Sequence, residues 1–532
     1  MSSSSSTPAP LLGRQQRGRV QMNDVAVRLN AADNLVIAKK PLLPRTTILM
    51  DDGSEIAIAQ MIPPGHKVAI REIATGEAVR RYGQIIGFAS QPITPGQHIH
   101  THNVVVHQGE LKLDYAFCED YKPVELVPES ERRTFMGYKR ADGRIGTRNY
   151  VALLASVNCS SSAVRRVADH FRNNPIMNQY PNVDGVIAFA TKGGCGAHYG
   201  SDYLGQLQKT MAGIVDHPNI GGYIILSLGC ETNQPDDLIA NTTLGSGHQP
   251  QVLTIQQDGG FQQTVERAIQ AVEQLLPSAN EATREPVPAS EIVLALQCGG
   301  SDGWSGVTAN PALGRAADEI VRQGGTVVLG ETSEVYGGEH LLTRRAVSPE
   351  VGQKLVDKIH WWENYTSTWG ASIDNNPSPG NKLGGLTTIY EKSLGAIAKA
   401  GTTPMTDVVG YADRITKRGF IHMDTPGYDP VSVTGQVAGG CNIVTFTTGR
   451  GSAFGFKPAP SIKLATNSDL YAKQEPDMDI NCGRMLDGIS LDEMGMEIFE
   501  KILAVASGEK SKSEIADVGE EEFNPWILGA TL

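Results

Sequence analysis

Tyr150-Val-Ala-Leu-Leu-Ala-Ser-Val157 runs straight into Asn158-Cys159, and Ile292-Val-Leu-Ala-Leu-Gln297 runs straight into Cys298-Gly-Gly-Ser-Asp302. The same arrangement occurs twice between them, at Val183-Asp-Gly-Val-Ile-Ala-Phe-Ala190 before Gly193-Gly-Cys195-Gly and at Tyr223-Ile-Ile-Leu-Ser-Leu228 before Gly229-Cys230-Glu231. Each run is apolar, β-rich and closed by a turn, and reads as a strand ending at a thiol. Helical periodicity follows two of them, over 162–171 and 313–322. Strand, loop and helix in that rhythm predict a parallel α/β body, and such sheets carry their sites at the carboxyl ends of the strands.

Around this body the chain is organised simply. Residues 1–19 open with a Ser-rich run followed by Arg14, Arg17 and Arg19, which reads as a disordered tail, with a targeting segment as the alternative. Residues 20–103 hold short β-like runs punctuated by Pro64-Gly65 and Pro95-Gly96, and predict a small β-rich domain. Residues 104–136 are polar and acidic and read as a linker; 137–345 and 346–532 are expected to be two α/β subdomains. A net charge of −12 disfavours nucleic acid and anionic membranes as partners, and no apolar run is long enough to span a bilayer. Seven cysteines without a secretory leader argue for reduced thiols in the cytoplasm rather than a disulfide framework.

Cys159, Cys195, Cys230 and Cys298 stand 36, 35 and 68 residues apart, too far for a local zinc motif. Thiols at equivalent strand ends can still converge, because neighbouring strands lie only about 4.8 Å apart. A free cysteine also serves as a small core hydrophobe, but placement in polar or glycine-rich turns favours thiolate chemistry, which selects iron–sulfur clusters or zinc. Within 20–103, His98, His100 and His102 alternate along Gly96-Gln-His-Ile-His-Thr-His-Asn103, so an extended segment would aim all three one way at iron or zinc. His66 follows the Pro63-Pro64-Gly65 turn and is a second candidate, as ligand or general base. Asn376-Pro-Ser378-Pro-Gly-Asn381-Lys382 offers carboxamides, amides and a lysine in a turn read as non-helical, suited to an oxygen-rich anion. Thr448-Gly-Arg450-Gly follows a strand-like run, and its arginine can grip a carboxylate in two places. No phosphate-loop or dinucleotide fingerprint occurs, so nucleotide chemistry is disfavoured.

Cys298-Gly-Gly-Ser-Asp, Leu228-Gly-Cys-Glu, Asn376-Pro-Ser-Pro-Gly-Asn-Lys, Thr448-Gly-Arg-Gly and Pro64-Gly-His-Lys together resemble the altronate/galactarate dehydratase family, from about residue 20 onward, with an N-terminal part similar to a SAF domain. The resemblance implies removal of water from a sugar acid to give a 2-keto-3-deoxy acid, dependent on iron or another divalent metal. The iron would be a mononuclear Fe2+ or an iron–sulfur cluster. Residues 98–103 look like the altronate type, whereas Thr343-Arg-Arg-Ala-Val and Asp477-Met-Asp-Ile-Asn resemble the galactarate type. Related members eliminate sulfite from sulfolactate, an alternative leaving group. Such a dehydration needs a base for the C2 proton, an electrophile for the enediolate and help for the departing hydroxide. The expected assignment is His66 or Lys67 as acid and base, Arg450, Thr448 and the loop of Asn376, Ser378, Asn381 and Lys382 on the substrate, and Cys195, Cys230, Cys298 and Cys159 near iron, in competition with His98, His100 and His102. A homo-oligomer, as a dimer, is expected; a non-catalytic sugar-acid-binding protein and a zinc hydrolase are the rival readings.

Overall fold

The apolar runs that end in cysteines are the centres of two parallel sheets. The computed structural model describes residues 18–106, 113, 115–245, 247 and 249–528. The Ser-rich tail up to residue 17 and part of the expected linker therefore lie outside the described residues.

The first sheet has four parallel strands in the order Gly185–Phe189, Tyr150–Ala155, Ile220–Ser227, Gln251–Thr254. Every residue of the 150–155 strand is buried. Val151, Leu153 and Ala155 pack on one face beneath the helices Ser161–Phe171 and Phe261–Asn280, while Ala152 and Leu154 join the main core on the other. This two-sided burial explains why the strand is uniformly apolar rather than alternating, each Leu or Val contributing about 1.5–3 kcal/mol. The second sheet has seven strands, all parallel, in the order Met405–Val409, Gly419–Met423, Thr326–Leu329, Val293–Cys298, Ile443–Thr448, Ser461–Ala465, Ile480–Asn481. It is contiguous from 293 to 481, so the subdomain boundary expected after residue 345 would cut it. The change of sheet falls instead after the strand Arg284–Pro288, which pairs back onto Thr134–Lys139.

In both sheets the first strand is central, and the chain later crosses to its other side. The crossing creates a crevice beside the carboxyl ends of 150–155 and 220–227 in the smaller sheet, and of 293–298 and 443–448 in the larger.

The N-terminal domain is β-rich, as expected, with Leu35–Ala38, Lys67–Ala69 and His98–Ile99 as antiparallel neighbours. Pairing of Lys67 with Ile99 and Val68 with His98 sets His66 opposite His100. The segment expected to be a linker is pinned to the body where it is described: the amides of Cys118, Asp120 and Val127 donate to the carbonyls of Thr343, Arg344 and Arg322.

Candidate active site

The larger crevice is roofed by the N-terminal domain, and three charged side chains hold the two together. Lys67 and Arg81, both fully buried, pair with the buried carboxylate of Glu391. Lys67 Nζ donates to Glu391 Oε1 at 2.8 Å and to Gly385 O at 2.5 Å, and Arg81 donates to Gly303 O at 2.6 Å. Thr387 gives Glu391 Oε2 its amide and hydroxyl at 2.8 and 2.6 Å. Burial alone would raise Glu391, yet the two cations hold its pKa down at about 2, while burial brings Lys67 down to about 8. One carboxylate between two desolvated cations is strong only as a complete set.

This docking sets His66 over the loop Leu383-Gly384-Gly385. Gly65 turns with φ +79°, a conformation that favours glycine, and a Cβ there would press on Trp304 Nε1 at 3.2 Å. His66 Nδ1 lies 3.0 Å from His98 Nε2, and its Nε2 faces Leu383 O at 3.3 Å. His66, His98 and His100 each bring a ring nitrogen within 4.8 Å of the others. Burial keeps the rings neutral, His98 at about 3 and His100 at about 4, with neighbouring imidazoles and Lys67 adding to the effect; His66 is lowered too, for the same first reason. The alternation expected over 98–102 holds only in part. The strand is just His98–Ile99, the chain then turns with Asn103 N and Val104 N on His100 O, and His102 is exposed, its ring 5.6 Å from that of His98 between centroids.

The trio fits a divalent ion. Its imidazoles are neutral, His100 Nδ1 is buried without a partner among the described residues, and His66 can give its remaining N–H to a backbone carbonyl, the usual support of a metal-bound histidine.

Below the roof lies a cleft of about 960 Å³ lined by His66, Asp302, Trp304, Gly384, Arg450 and Asn467 among others. Asp302 and Arg450 come from the ends of adjacent strands, 293–298 and 443–448, so the crossing itself puts a carboxylate beside a guanidinium. Arg450 is exposed and has no ion-pair partner among the described residues. Asp302 Oδ1 accepts from the amides of Trp304 and Ser305 at 3.0 Å each, and Oδ2 from Asn467 Nδ2 at 3.1 Å. Burial raises its pKa, against the bonds from Thr466 and Ser305. A larger cavity of about 1080 Å³ lies by the 120–125 segment, where Arg315 pairs with Asp492, Arg322 with Glu319, and Arg345 donates through Nη1 to the carbonyls of Gly401 and Thr403 while its buried Nη2 has no hydrogen-bond partner among the described residues.

The remaining expected site residues fall elsewhere. Lys67 sits behind the cleft, in the ion triplet. The 376–382 segment is not wholly a non-helical turn: Ser378 caps the short helix Pro379–Leu383 in a capping box with Asn381, and proline is tolerated in the first turn, where its missing N–H costs nothing. Asn381 Nδ2 is spent on Ser301 O at 2.8 Å, and Asn376 bridges Glu334 and Lys392 at 3.0 Å each. Lys382 is half-buried, and Thr448 Oγ1 accepts from Gly451 N at 3.0 Å. The four cysteines do not share one site. Cys298 ends the central strand of the larger sheet, buried, taking a hydrogen bond from Lys399 Nζ at 2.9 Å. It forms a group with Glu331 and Glu334, but Lys399 and Lys392, the latter 2.6 Å from Glu334, already fill the places a cation would take. Cys159, Cys195 and Cys230 are exposed at the edge of the smaller sheet.

Sequence reading missed Glu391 and Arg81, which sit in unremarkable stretches, and gave no separate role to Asp302, although it closes the quoted Cys298-Gly-Gly-Ser-Asp motif.

Three family models tile this architecture: the altronate/galactarate dehydratase SAF domain over 24–107, the D-galactarate dehydratase/altronate hydrolase second domain over 137–280, and the D-galactarate/altronate dehydratase C-terminal model over 289–531. The chain belongs to the altronate/galactarate dehydratase family. It is 38% identical to galactarate dehydratase (L-threo-forming) of Escherichia coli K12 over 91% of this chain and 93% of that one. It is 34% identical to altronate dehydratase of the same organism, over 93% and 97%. The beta subunit of (2R)-sulfolactate sulfo-lyase from Chromohalobacter salexigens is a more distant relative, 32% identical over 74% of this chain and 97% of that subunit. No helix among the described residues is long and apolar enough to cross a membrane.

Proposed function

We propose that the protein removes water from an aldonate or aldarate of the altronate or galactarate type, giving a 2-keto-3-deoxy acid, at the cleft between the N-terminal domain and the larger sheet. The observation that carries this reading is that His66, a member of the imidazole trio, lines one cleft together with the buried carboxylate of Asp302 and with Arg450, which has no ion-pair partner among the described residues. His66, His98 and His100 would hold an iron(II)-type divalent ion, and such an ion would supply Lewis acidity to the elimination.

The chain's own groups do the rest. Arg450 takes a substrate carboxylate with both guanidinium nitrogens, fixing which hydrogen faces the protein. Asp302, with its pKa raised by burial, takes the C2 proton: it lines the cleft next to Arg450 and is poised nearer neutrality than a surface carboxylate. The C3 hydroxyl leaves as hydroxide and takes up a proton from solvent to become water, and the enol so formed becomes the ketone without any organic cofactor. His66 is then a ligand rather than the base, and Lys67 is a positioning residue that keeps the roof on Glu391 and Gly385.

Asp302→Asn separates chemistry from architecture, because the amide oxygen can still accept from Trp304 N and Ser305 N. On anaerobically prepared protein given galactarate, altronate and sulfolactate in parallel, the variant is expected to bind substrate and iron normally while keto-acid formation drops by roughly 10²-fold or more. Turnover of wild type on none of the three acids, with iron at the histidines, would defeat the dehydratase reading, and sulfite release from sulfolactate alone would move it to the sulfo-lyase reaction.

A further inference from the structure

We infer that Cys159, Cys195 and Cys230 form a second metal site, separate from the cleft, that holds an iron–sulfur cluster through three thiolates and leaves one iron open to an oxygen ligand. None of the residues lining the cleft lies between 107 and 301, so the two sites occupy different sheets.

Topology is the first argument. Strands 185–189, 150–155 and 220–227 are neighbours in that order, and each delivers one of these cysteines just past its carboxyl end. Their turns adjoin where the chain crosses from one side of its first strand to the other, the place where an open parallel sheet forms its binding crevice. In the larger sheet the corresponding place carries Asp302 and Arg450.

The three turns are also built as one unit. Asn158 N donates to Gly193 O at 3.0 Å, tying the Cys159 turn to the Cys195 turn, and Asn233 N donates to Gly194 O at 3.0 Å, tying in the Cys230 turn. Ser156 Oγ donates to Glu231 Oε1 at 2.5 Å, and Asn233 Nδ2 to Ser156 O at 2.8 Å, closing the triangle. Gly194, at φ +95°, lies so close to the Cys159 turn that a Cβ would stand 2.3 Å from Ser156 O. Buried Glu231 also takes the amides of Leu228 and Gly229 at 3.1 and 2.6 Å, holding the loop that presents Cys230.

The thiols themselves point to a ligand. Cysteine is among the most often buried residues, and Cys298, Cys441 and Cys482 follow that habit; these three, at adjacent turns, are exposed. Gln256 Nε2 lies 3.4 Å from Cys230 Sγ, a donor to a thiolate of the kind that tunes cluster sulfurs. Among the described residues the three sulfurs do not form a group within 4.8 Å of one another. A single tetrahedral ion holds its thiolates about 4 Å apart. A cluster takes each thiolate on a different iron and so accepts a wider triangle.

The test is anaerobic purification of the full chain, with reconstitution by iron(II) and sulfide, read by iron and acid-labile sulfide content, by absorption near 400 nm and by electron paramagnetic resonance. Wild type is expected to carry about four sulfides per chain. Cys159→Ser, Cys195→Ser and Cys230→Ser should each lose the sulfide and the visible band, Cys298→Ser should keep both, and His98→Ala should keep the sulfide while losing one iron and turnover. That last variant makes failure of the cleft reading distinguishable from failure of this one. Absence of sulfide in reconstituted wild type, a disulfide between two of these cysteines in the anaerobic protein, zinc in place of iron, or unchanged sulfide in the three serine variants would each overturn the proposal. Circular dichroism and the unfolding midpoint of each variant show that a lost cluster is not a lost fold.

Discussion

The two carboxyl edges of the parallel sheets began as the same local pattern, an apolar strand running into a turn with a cysteine, and became opposite environments. At the smaller sheet three thiols face water. At the larger sheet Cys298 is buried against Lys399, with Glu331, Glu334 and Lys392 beside it, because the 376–400 segment and the N-terminal domain close over that edge. A thiol's chemistry is decided by what covers the strand end. Where charges and a roof arrive, the cysteine is one partner in a neutralised buried set; where the described residues leave the strand end uncovered, the thiol stays exposed, as the proposed cluster site requires.

The comparison breaks most visibly if the roof is removed. Glu391→Ala leaves Lys67 and Arg81 buried without their carboxylate, so stability should fall by about 3–5 kcal/mol in denaturant unfolding, with keto-acid formation abolished. A loss below about 1 kcal/mol would mean that the triplet does not hold the domains together. Arg450→Ala is the next test, since a charged hydrogen-bond pair is worth about 1.5–3 kcal/mol. The Michaelis constant should rise roughly 10- to 100-fold with metal content unchanged, and an unaltered constant would take Arg450 out of the substrate site.

A pH series sharpens the picture of the roof. His98 and His100 remain neutral in the fold down to about 3 and about 4, whereas unfolded histidines take a proton near 6.5. Below about 6.5 the unfolded chain therefore binds more protons than the folded one, and their contribution to stability, complete above that pH, is lost as the pH falls toward 4. Urea midpoints should decline over that window in wild type, and decline less in a His98→Ala, His100→Ala double variant. The smallest effect is expected for Cys298→Ser, which keeps a hydrogen-bonding atom opposite Lys399. A cost of about 1–2 kcal/mol with iron and sulfide unchanged is the expected outcome; loss of iron would return Cys298 to the metal.

Much of this architecture was legible in order of residues. The runs ending at Cys159, Cys195, Cys230 and Cys298 are strands within a few residues of where the pattern placed them, and the helices after Cys159 and Cys298 follow as expected. Local rules were enough, since a doubly buried parallel strand has no polar face to blur it. The boundary after residue 345 was not legible, because sheet membership is decided by pairing across long loops. His102 stays beside the His98 ring but outside the group of His66, His98 and His100, because the strand stops at Ile99, a matter of which backbone groups find partners.

The sequence by itself determined the secondary-structure rhythm, the position of each thiol and imidazole just past a turn, and membership in a dehydratase family. Only the tertiary structure decided which of those groups meet. Register brought His66 to His98 and His100 across an antiparallel pair, the crossing of the larger sheet set Asp302 beside Arg450, and a carboxylate at 391 drew in cations from 67 and 81. The physical reason is that chain order specifies local conformation through short-range sterics and hydrogen bonding. Convergence of distant side chains depends on burying charge and apolar surface together, and that balance exists only once the domains are packed.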